Sequence, residues 1–197
     1  MMFRLGLTGS IGMGKSTTAS FFAQEGCAVW DADAAVHRLY AKDGAAVAPI
    51  AAMFPDAVQD AAISRTILKQ IIAQDPTAIK AIEQIVHPLV ATDRASFIDT
   101  TTAEIAVFDI PLLFETGISA TMDAVACVTI SPDIQAERVA ERGTMTRAQF
   151  DVIRAKQMPN DEKCARSDFV IVTDTVEHAR AQVQDVVRQI KERQPHA

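Results

Sequence analysis

The chain has 197 residues, 49% of them hydrophobic and 22% charged, with a formal net charge of −6. That length and apolar content suffice for one compact enzyme-sized unit with a substantial core. The acidic balance argues against a general nucleic-acid binder, which needs a basic face, and no run approaches the roughly 20 apolar residues of a membrane helix.

Phe3 to Leu7 is a short apolar run that ends in Thr8-Gly9. After Lys15 a helix-compatible segment with Phe21, Phe22 and Ala23 stops at Gly26, so the order is strand, glycine-rich turn, helix;. A second strand, Cys27 to Trp30, ends at Asp31-Ala32-Asp33. From residue 34 to about 100 the apolar spacing becomes helical, through Ile63, Ile67, Leu68, Ile71 and Ile72 and then Ile79, Ile82, Ile85, Val86 and Leu89;. No strong strand is expected there. Asp75-Pro76 reads as a helix start, and Pro88 is expected to kink or restart the helix around His87;.

Ile105 to Phe108 and Ala124 to Ile130 are β-branched apolar runs that read as central parallel strands;. Helical patches follow at Asp133 to Arg142 and Arg147 to Lys156, then a fifth strand, Phe169 to Val172. The last helix is expected after Asp174, with Glu177 completing a capping-box-like start and Ala179, Val183, Val186, Val187 and Ile190 forming its stripe;. Gln194 to Ala197 reads as a loose tail;. Apolar strands alternating with amphipathic helices predict an α/β fold with a five-stranded parallel sheet flanked by helices. The strand order is not readable from spacing.

Cys27, Cys127 and Cys164 are odd in number, far apart in sequence and without C-x-x-C spacing. Neither a disulfide framework nor a zinc site is expected, and a reducing cytoplasm is the natural compartment. No signal peptide is expected in the opening residues, which lead straight into the glycine-rich turn.

Gly9, Gly14, Lys15 and Ser16 satisfy the pattern G-x-x-x-x-G-K-[S/T]. Glycines let successive backbone N–H groups curl around phosphates, the helix that follows presents its positive end, and Lys15 adds a full charge. Ser16 is placed to ligate Mg²⁺, and Asp109, just after a strand, resembles a Walker B aspartate; an ordinary loop aspartate is the alternative. Alternation in an extended segment sends Asp31 and Asp33 to one side, where one carboxylate can accept a substrate hydroxyl proton. Asp33 as a helix cap is an equal reading. Arg138, Arg142, Arg147, Arg154, Lys156, Lys163 and Arg166 form a basic stretch that reads either as a solvated helix face or as a lid over the nucleotide, with Arg142 at its hinge;.

Taken in order, Leu7 to Thr17, Asp31-Ala32-Asp33, His87-Pro88, Pro111-Leu112-Leu113-Phe114-Glu115, Arg154 to Gln157 and Asp168 to Ile171 resemble the dephospho-coenzyme A kinase family almost from end to end. The resemblance implies ATP-dependent phosphorylation of the ribose 3′-hydroxyl of dephospho-coenzyme A, with Mg²⁺. It implies a nucleotide-binding core (1–33, 101–137 and 167–197), a helical acceptor domain (34–100) and a lid (138–166). Carried over by residue, Gly9, Gly12, Met13, Gly14, Lys15, Ser16 and Thr17 hold ATP, and Ser16 and Asp109 the metal. Asp33 is the base, Lys15 and Arg142 stabilise the transferring group, and Asp31, His87 and the Pro111 to Glu115 loop meet the acceptor. Core packing of Leu112, Leu113 and Phe114, and a structural cap at His87, are the plain alternatives. The phosphate loop carries Ser10 and Met13 where the family commonly has glycine and serine, and Thr173 stands where asparagine often follows the last strand, so the adenine contact of that asparagine is not carried over. The expected partners are the two small-molecule substrates, with no nucleic acid or membrane, for a monomer or small homo-oligomer. Competing readings are another small-molecule or nucleoside monophosphate kinase, or a nucleotide-dependent switch; the latter leaves the helical insertion and the arginine lid without a use.

Overall fold

A computed structural model describes residues 2–143 and 146–193. The expected loose tail, Gln194 to Ala197, lies outside the described residues. By its internal contacts the chain forms two compact units, Met1–Trp30 with Thr101–Ala197, and Asp31–Thr100.

The first unit is built on a five-stranded parallel sheet in the order β2-β5-β1-β6-β7. Its strands are β1 (Phe3–Thr8), β2 (Ala28–Asp31), β5 (Ile105–Asp109), β6 (Ala124–Thr129) and β7 (Phe169–Val172). Strand β1 lies at the centre, with Leu5 beside Val107 on one side and Ala124 on the other. Every residue of β5 is buried, which is why it shows no polar alternation in the sequence;. Helices α1 (Lys15–Gln24) and α9 (Val176–Arg193) share a core with the sheet through Phe21, Phe22, Val183, Val187 and Ile190.

Helix α6 (Pro132–Glu141) starts with the Ser131 hydroxyl accepting from Ile134 N–H, and α7 (Arg147–Lys156) with a full capping box between Thr146 and Gln149;. A short helix that sequence periodicity did not indicate, α8 (Asn160–Ala165), follows. Six residues are too few to display an apolar stripe;. The start of α9 also differs from expectation: the Thr175 hydroxyl accepts from His178 N–H at 3.1 Å, while Asp174 accepts from Thr175 N–H. Thr175, rather than the Asp174 and Glu177 pair, caps the helix.

The second unit contains α2 (Ala32–Tyr40), α3 (Val47–Met53), α4 (Arg65–Gln74) and α5 (Ala78–Thr100). Its core gathers Leu39, Ile50, Ile63, Leu68, Ile82 and Val86. Two departures from the expected all-helical insertion occur. A small hairpin pairs β3 (Val58–Gln59) with β4 (Ala62–Ile63) through Asp60 and Ala61, both at positive φ. That turn geometry normally announces itself with glycine or asparagine, so the sequence carried no signal for it. Helix α5 runs through Pro88 without restarting. Pro88 and Gln84 are both exposed, so the carbonyl left unpaired by the missing proline N–H can bond water;. An Arg38–Asp93 ion pair, 2.6 Å, joins α2 to α5.

Strand β7, at the sheet edge, is held to β6 by more than the ladder: Asp168 accepts from Val125 N–H through Oδ2 at 2.8 Å, and its own N–H donates to Val125 O at 2.9 Å. Asp168→Ala leaves a strand-end N–H without its acceptor. Chemical denaturation is expected to show a loss of about 1–3 kcal/mol.

Candidate active site

The turn after β1 delivers the chain into α1 with glycine where the backbone requires it. Gly12 and Gly14 have φ of 80° and 87°, and a Cβ on Gly14 would stand 3.0 Å from the Thr173 hydroxyl;. Gly9 lies against Val128 at the head of the turn, and the Met13 side chain turns into the core, leaving its backbone for the loop. Gly14 caps α1 without a side-chain hydrogen bond. The first N–H groups of a helix have no partner within it, so the amides of Lys15, Ser16 and Thr17 form a ready anion site, strengthened by the helix dipole. Ser16 and Thr17 are exposed. Lys15, at the first helical position, pairs with the carboxylate of Asp109, which is only 1% exposed at the end of β5.

The turn is gripped from outside. Ser10 N–H donates to Asn160 Oδ1 at 2.9 Å and Ile11 N–H to Gln157 Oε1 at 3.3 Å. The Ile11 carbonyl accepts from Gln135 Nε2, and the Met13 carbonyl from the Thr173 hydroxyl. Of these four side chains, none was expected from sequence to hold the loop. The available signal was a polar residue at a buried helical position, Gln135, 3% exposed.

Beside the turn lies a cleft of about 220 Å³ lined by Gly14, Thr17, Arg138, Arg142, Thr173 and Thr175 among others. Arg142 caps the end of α6 and is exposed. Arg138 is tied to Thr173, through its hydroxyl at 3.1 Å and its carbonyl at 2.6 Å. The rest of the basic stretch serves other ends. Arg147 and Arg154 flank the ring of Phe150 and pair with Asp151, and Arg166 lies 4.6 Å from the Phe114 ring centroid. Lys163 is fully buried. The stretch is therefore neither one solvated face nor one ring of phosphate ligands.

Lys163 Nζ donates to Pro111 O at 2.8 Å and pairs with Glu115 at 2.9 Å; Glu115 also accepts from Met158 N–H. The Pro111 to Glu115 loop is thus a structural joint, and two of its expected acceptor contacts need correction. Leu113 is fully buried under Gly6 and Phe114 is 9% exposed beneath Arg166, so apolar burial has claimed both; Leu112, 41% exposed, keeps its surface. Asp31 has a structural role as well. Its carboxylate caps α2 by accepting from Ala34 N–H at 2.8 Å, which disposes of the reading of Asp33 as the cap. Because α2 begins at Ala32, Asp33 sits on a helix and does not share a strand face with Asp31; it is exposed in the first turn. His87 is exposed in the middle of α5 and caps nothing.

Cys127 and Cys164, distant in sequence, bring their sulfurs to 3.5 Å as free thiols, and burial first, then Cys164, pushes the Cys127 thiol up. Among the described residues no group of three or more His, Cys, Asp or Glu could hold a metal, and no helix is long and apolar enough to cross a membrane.

The family model for dephospho-CoA kinase matches residues 3–178. The chain belongs to the dephospho-CoA kinase family. A relative named dephospho-CoA kinase from Ruegeria pomeroyi is 73% identical over 197 residues, covering all of both chains. Another of that name from Cereibacter sphaeroides is 55% identical and covers 96% of each. A crystal structure from Thermus thermophilus, 27% identical, superimposes with a TM-score of 0.85 over 98% of this chain and 99% of that one. Membership makes the protein a kinase with the P-loop fold.

Burial raises the pKa of the Glu115 carboxyl, but hydrogen bonds from Lys163 and Met158 and the Lys163 charge outweigh it, so the net shift is downward from the ordinary 4.5. A depressed folded pKa gives stability that is present above 4.5 and lost as pH falls through the folded value;. Thermal melts of Glu115→Gln are expected to fall below the parent at neutral pH, with the gap closing as pH drops below 4.5.

Proposed function

We propose that the protein transfers the γ-phosphoryl group of ATP to the ribose 3′-hydroxyl of dephospho-coenzyme A, giving coenzyme A and ADP. The observation that carries this reading is the uncapped start of α1, with Lys15 beside it and the cleft lined by Arg138 and Arg142 next to it, in a chain of this family. The backbone of Gly12 to Thr17 binds the phosphates, and the adenosine part of ATP occupies the cleft bordered by Thr173 and Thr175. The Thr173 hydroxyl is committed to Met13 and Arg138, so this side chain does not replace the adenine contact of an asparagine.

Phosphoryl transfer is mostly alignment and charge stabilisation. Lys15 and Arg142 place positive charge on the transferring group, Arg142 from the exposed end of α6. The segment 138–166 acts as a lid and the unit from Asp31 to Thr100 as the acceptor domain. Asp33 accepts the proton of the attacking hydroxyl; its exposure and its release from capping support that role. The Ser16 hydroxyl and the Asp109 carboxylate are hard oxygen donors of the kind that suits Mg²⁺ shared with substrate phosphates. Held there, Mg²⁺ would supply charge neutralisation to the transferring phosphoryl group.

Purified protein with ATP and a panel of acceptors is expected to phosphorylate dephospho-coenzyme A. Turnover of a nucleoside monophosphate in its place would transfer the assignment to that class of kinase. Asp33→Asn is expected to lower kcat by roughly 100-fold or more with ATP affinity nearly intact. Near-normal turnover would remove Asp33 from the chemical step.

A further inference from the structure

A peptide unit is planar and trans, so its C=O and N–H point in opposite directions. A cradle that offers N–H groups to an anion must therefore keep the matching carbonyls turned away from it. Within the Gly9–Lys15 turn the peptides Ile11–Gly12 and Met13–Gly14 are the vulnerable ones, because each is followed by a glycine at positive φ. Glycine tolerates either orientation of the preceding peptide. A flip would aim the Ile11 or Met13 carbonyl at the phosphates.

Each outward carbonyl meets one buried donor. Ile11 O accepts from Gln135 Nε2 at 2.7 Å and Met13 O from Thr173 Oγ1 at 2.8 Å. Gln135 and Thr173 are 3% and 6% exposed. Their proton directions are set by their partners. A carbonyl only accepts, so the Gln135 amide must present its nitrogen. Arg138 Nη1, which only donates, points at Thr173 Oγ1 from 3.1 Å, so the hydroxyl proton is left for a carbonyl; Met13 O is closer than Thr129 O, at 3.3 Å;. Both donors also stand behind the glycines they control: a Cβ on Gly12 would come within 3.3 Å of Gln135 Cγ, and one on Gly14 within 3.0 Å of Thr173 Oγ1.

We propose that Gln135 and Thr173 are positioning residues that lock the Ile11–Gly12 and Met13–Gly14 peptides with their N–H groups facing the nucleotide phosphates. The inference rests on the reading of this turn as nucleotide-binding. It assigns the buried amide of α6 and the threonine after β7 a part in phosphate affinity without contact to the phosphates.

The test is ADP affinity by calorimetry, with ligand-free thermal unfolding alongside, for Thr173→Val, Thr173→Ser and Gln135→Met. Thr173→Val and Gln135→Met each lose a buried donor, and ADP affinity is expected to fall about ten-fold in each. The KM for ATP is expected to rise in parallel while the KM for dephospho-coenzyme A stays put, and Thr173→Ser, which keeps the hydroxyl, is expected to restore parental affinity. Parental ADP affinity in both donor-less variants, or Thr173→Ser as weak as Thr173→Val, overturns the proposal. Unfolding of a ligand-free variant at the assay temperature assigns that residue to fold stability and overturns its positioning role. ADP binding requires no acceptor, so a parent that binds ADP yet fails on dephospho-coenzyme A overturns the acceptor assignment alone.

Discussion

A carboxylate withdrawn from water costs several kcal/mol unless a cation and further hydrogen bonds accompany it. Asp109, at the last position of β5, is in that situation, and Lys15 at the first turn of α1 supplies the cation. The pair links the helix start to the strand beside β1, and so sets where the amides of α1 open relative to the carboxyl edge of the sheet. The neighbouring contacts follow from it. Just past Asp109 the Pro111 carbonyl collects the Thr8 hydroxyl and the Lys163 ammonium, and Lys163 in turn holds Glu115. The carboxyl edge of the sheet is thus braced by Lys15 with Asp109 and by Lys163 with Glu115, while Arg142 at the end of α6 faces solvent.

That distinction also explains how the arginine-rich stretch divides. In a helix of this length, charges three or four residues apart share a face only until the chain turns. The break at Gly143 and the second break before Asn160 give each basic residue a different environment. Arg138 faces Thr173, Arg147 and Arg154 both approach the Phe150 ring, and Lys163 goes inside. Only tertiary neighbours decide whether a guanidinium stacks, pairs or remains available.

Much of the architecture was legible because it follows local rules. Buried parallel strands read as unbroken apolar runs, and all five were placed within a residue or two of their observed limits;. The amphipathic stripe of α9 and the helical patch that became α7 follow from side-chain chemistry within a turn or two. Where local rules are ambiguous, tertiary context decides. Asp31 and Asp33 both suit a cap, and the helix began one residue after the first of them, which gave the role to Asp31. Pro88 predicts a break, yet exposure on α5 lets solvent satisfy what proline removes. Leu113 and Phe114 resemble a ligand wall in sequence, but burial against Gly6 and beneath Arg166 is a property of the fold.

From the sequence alone came the phosphate loop, the parallel sheet, the helical insertion and the family, because each depends on the order and spacing of residues close along the chain. The tertiary structure decided which polar groups face the loop from behind. Gln135, Gln157, Asn160 and Thr173 come from four places more than 100 residues beyond the turn, and converge on the backbone of Ser10, Ile11 and Met13. A side chain that bonds a backbone carbonyl or amide more than 100 residues away leaves no local pattern in sequence, since nearly every residue offers the same backbone partner;. Its geometry exists only once the sheet and helices have packed.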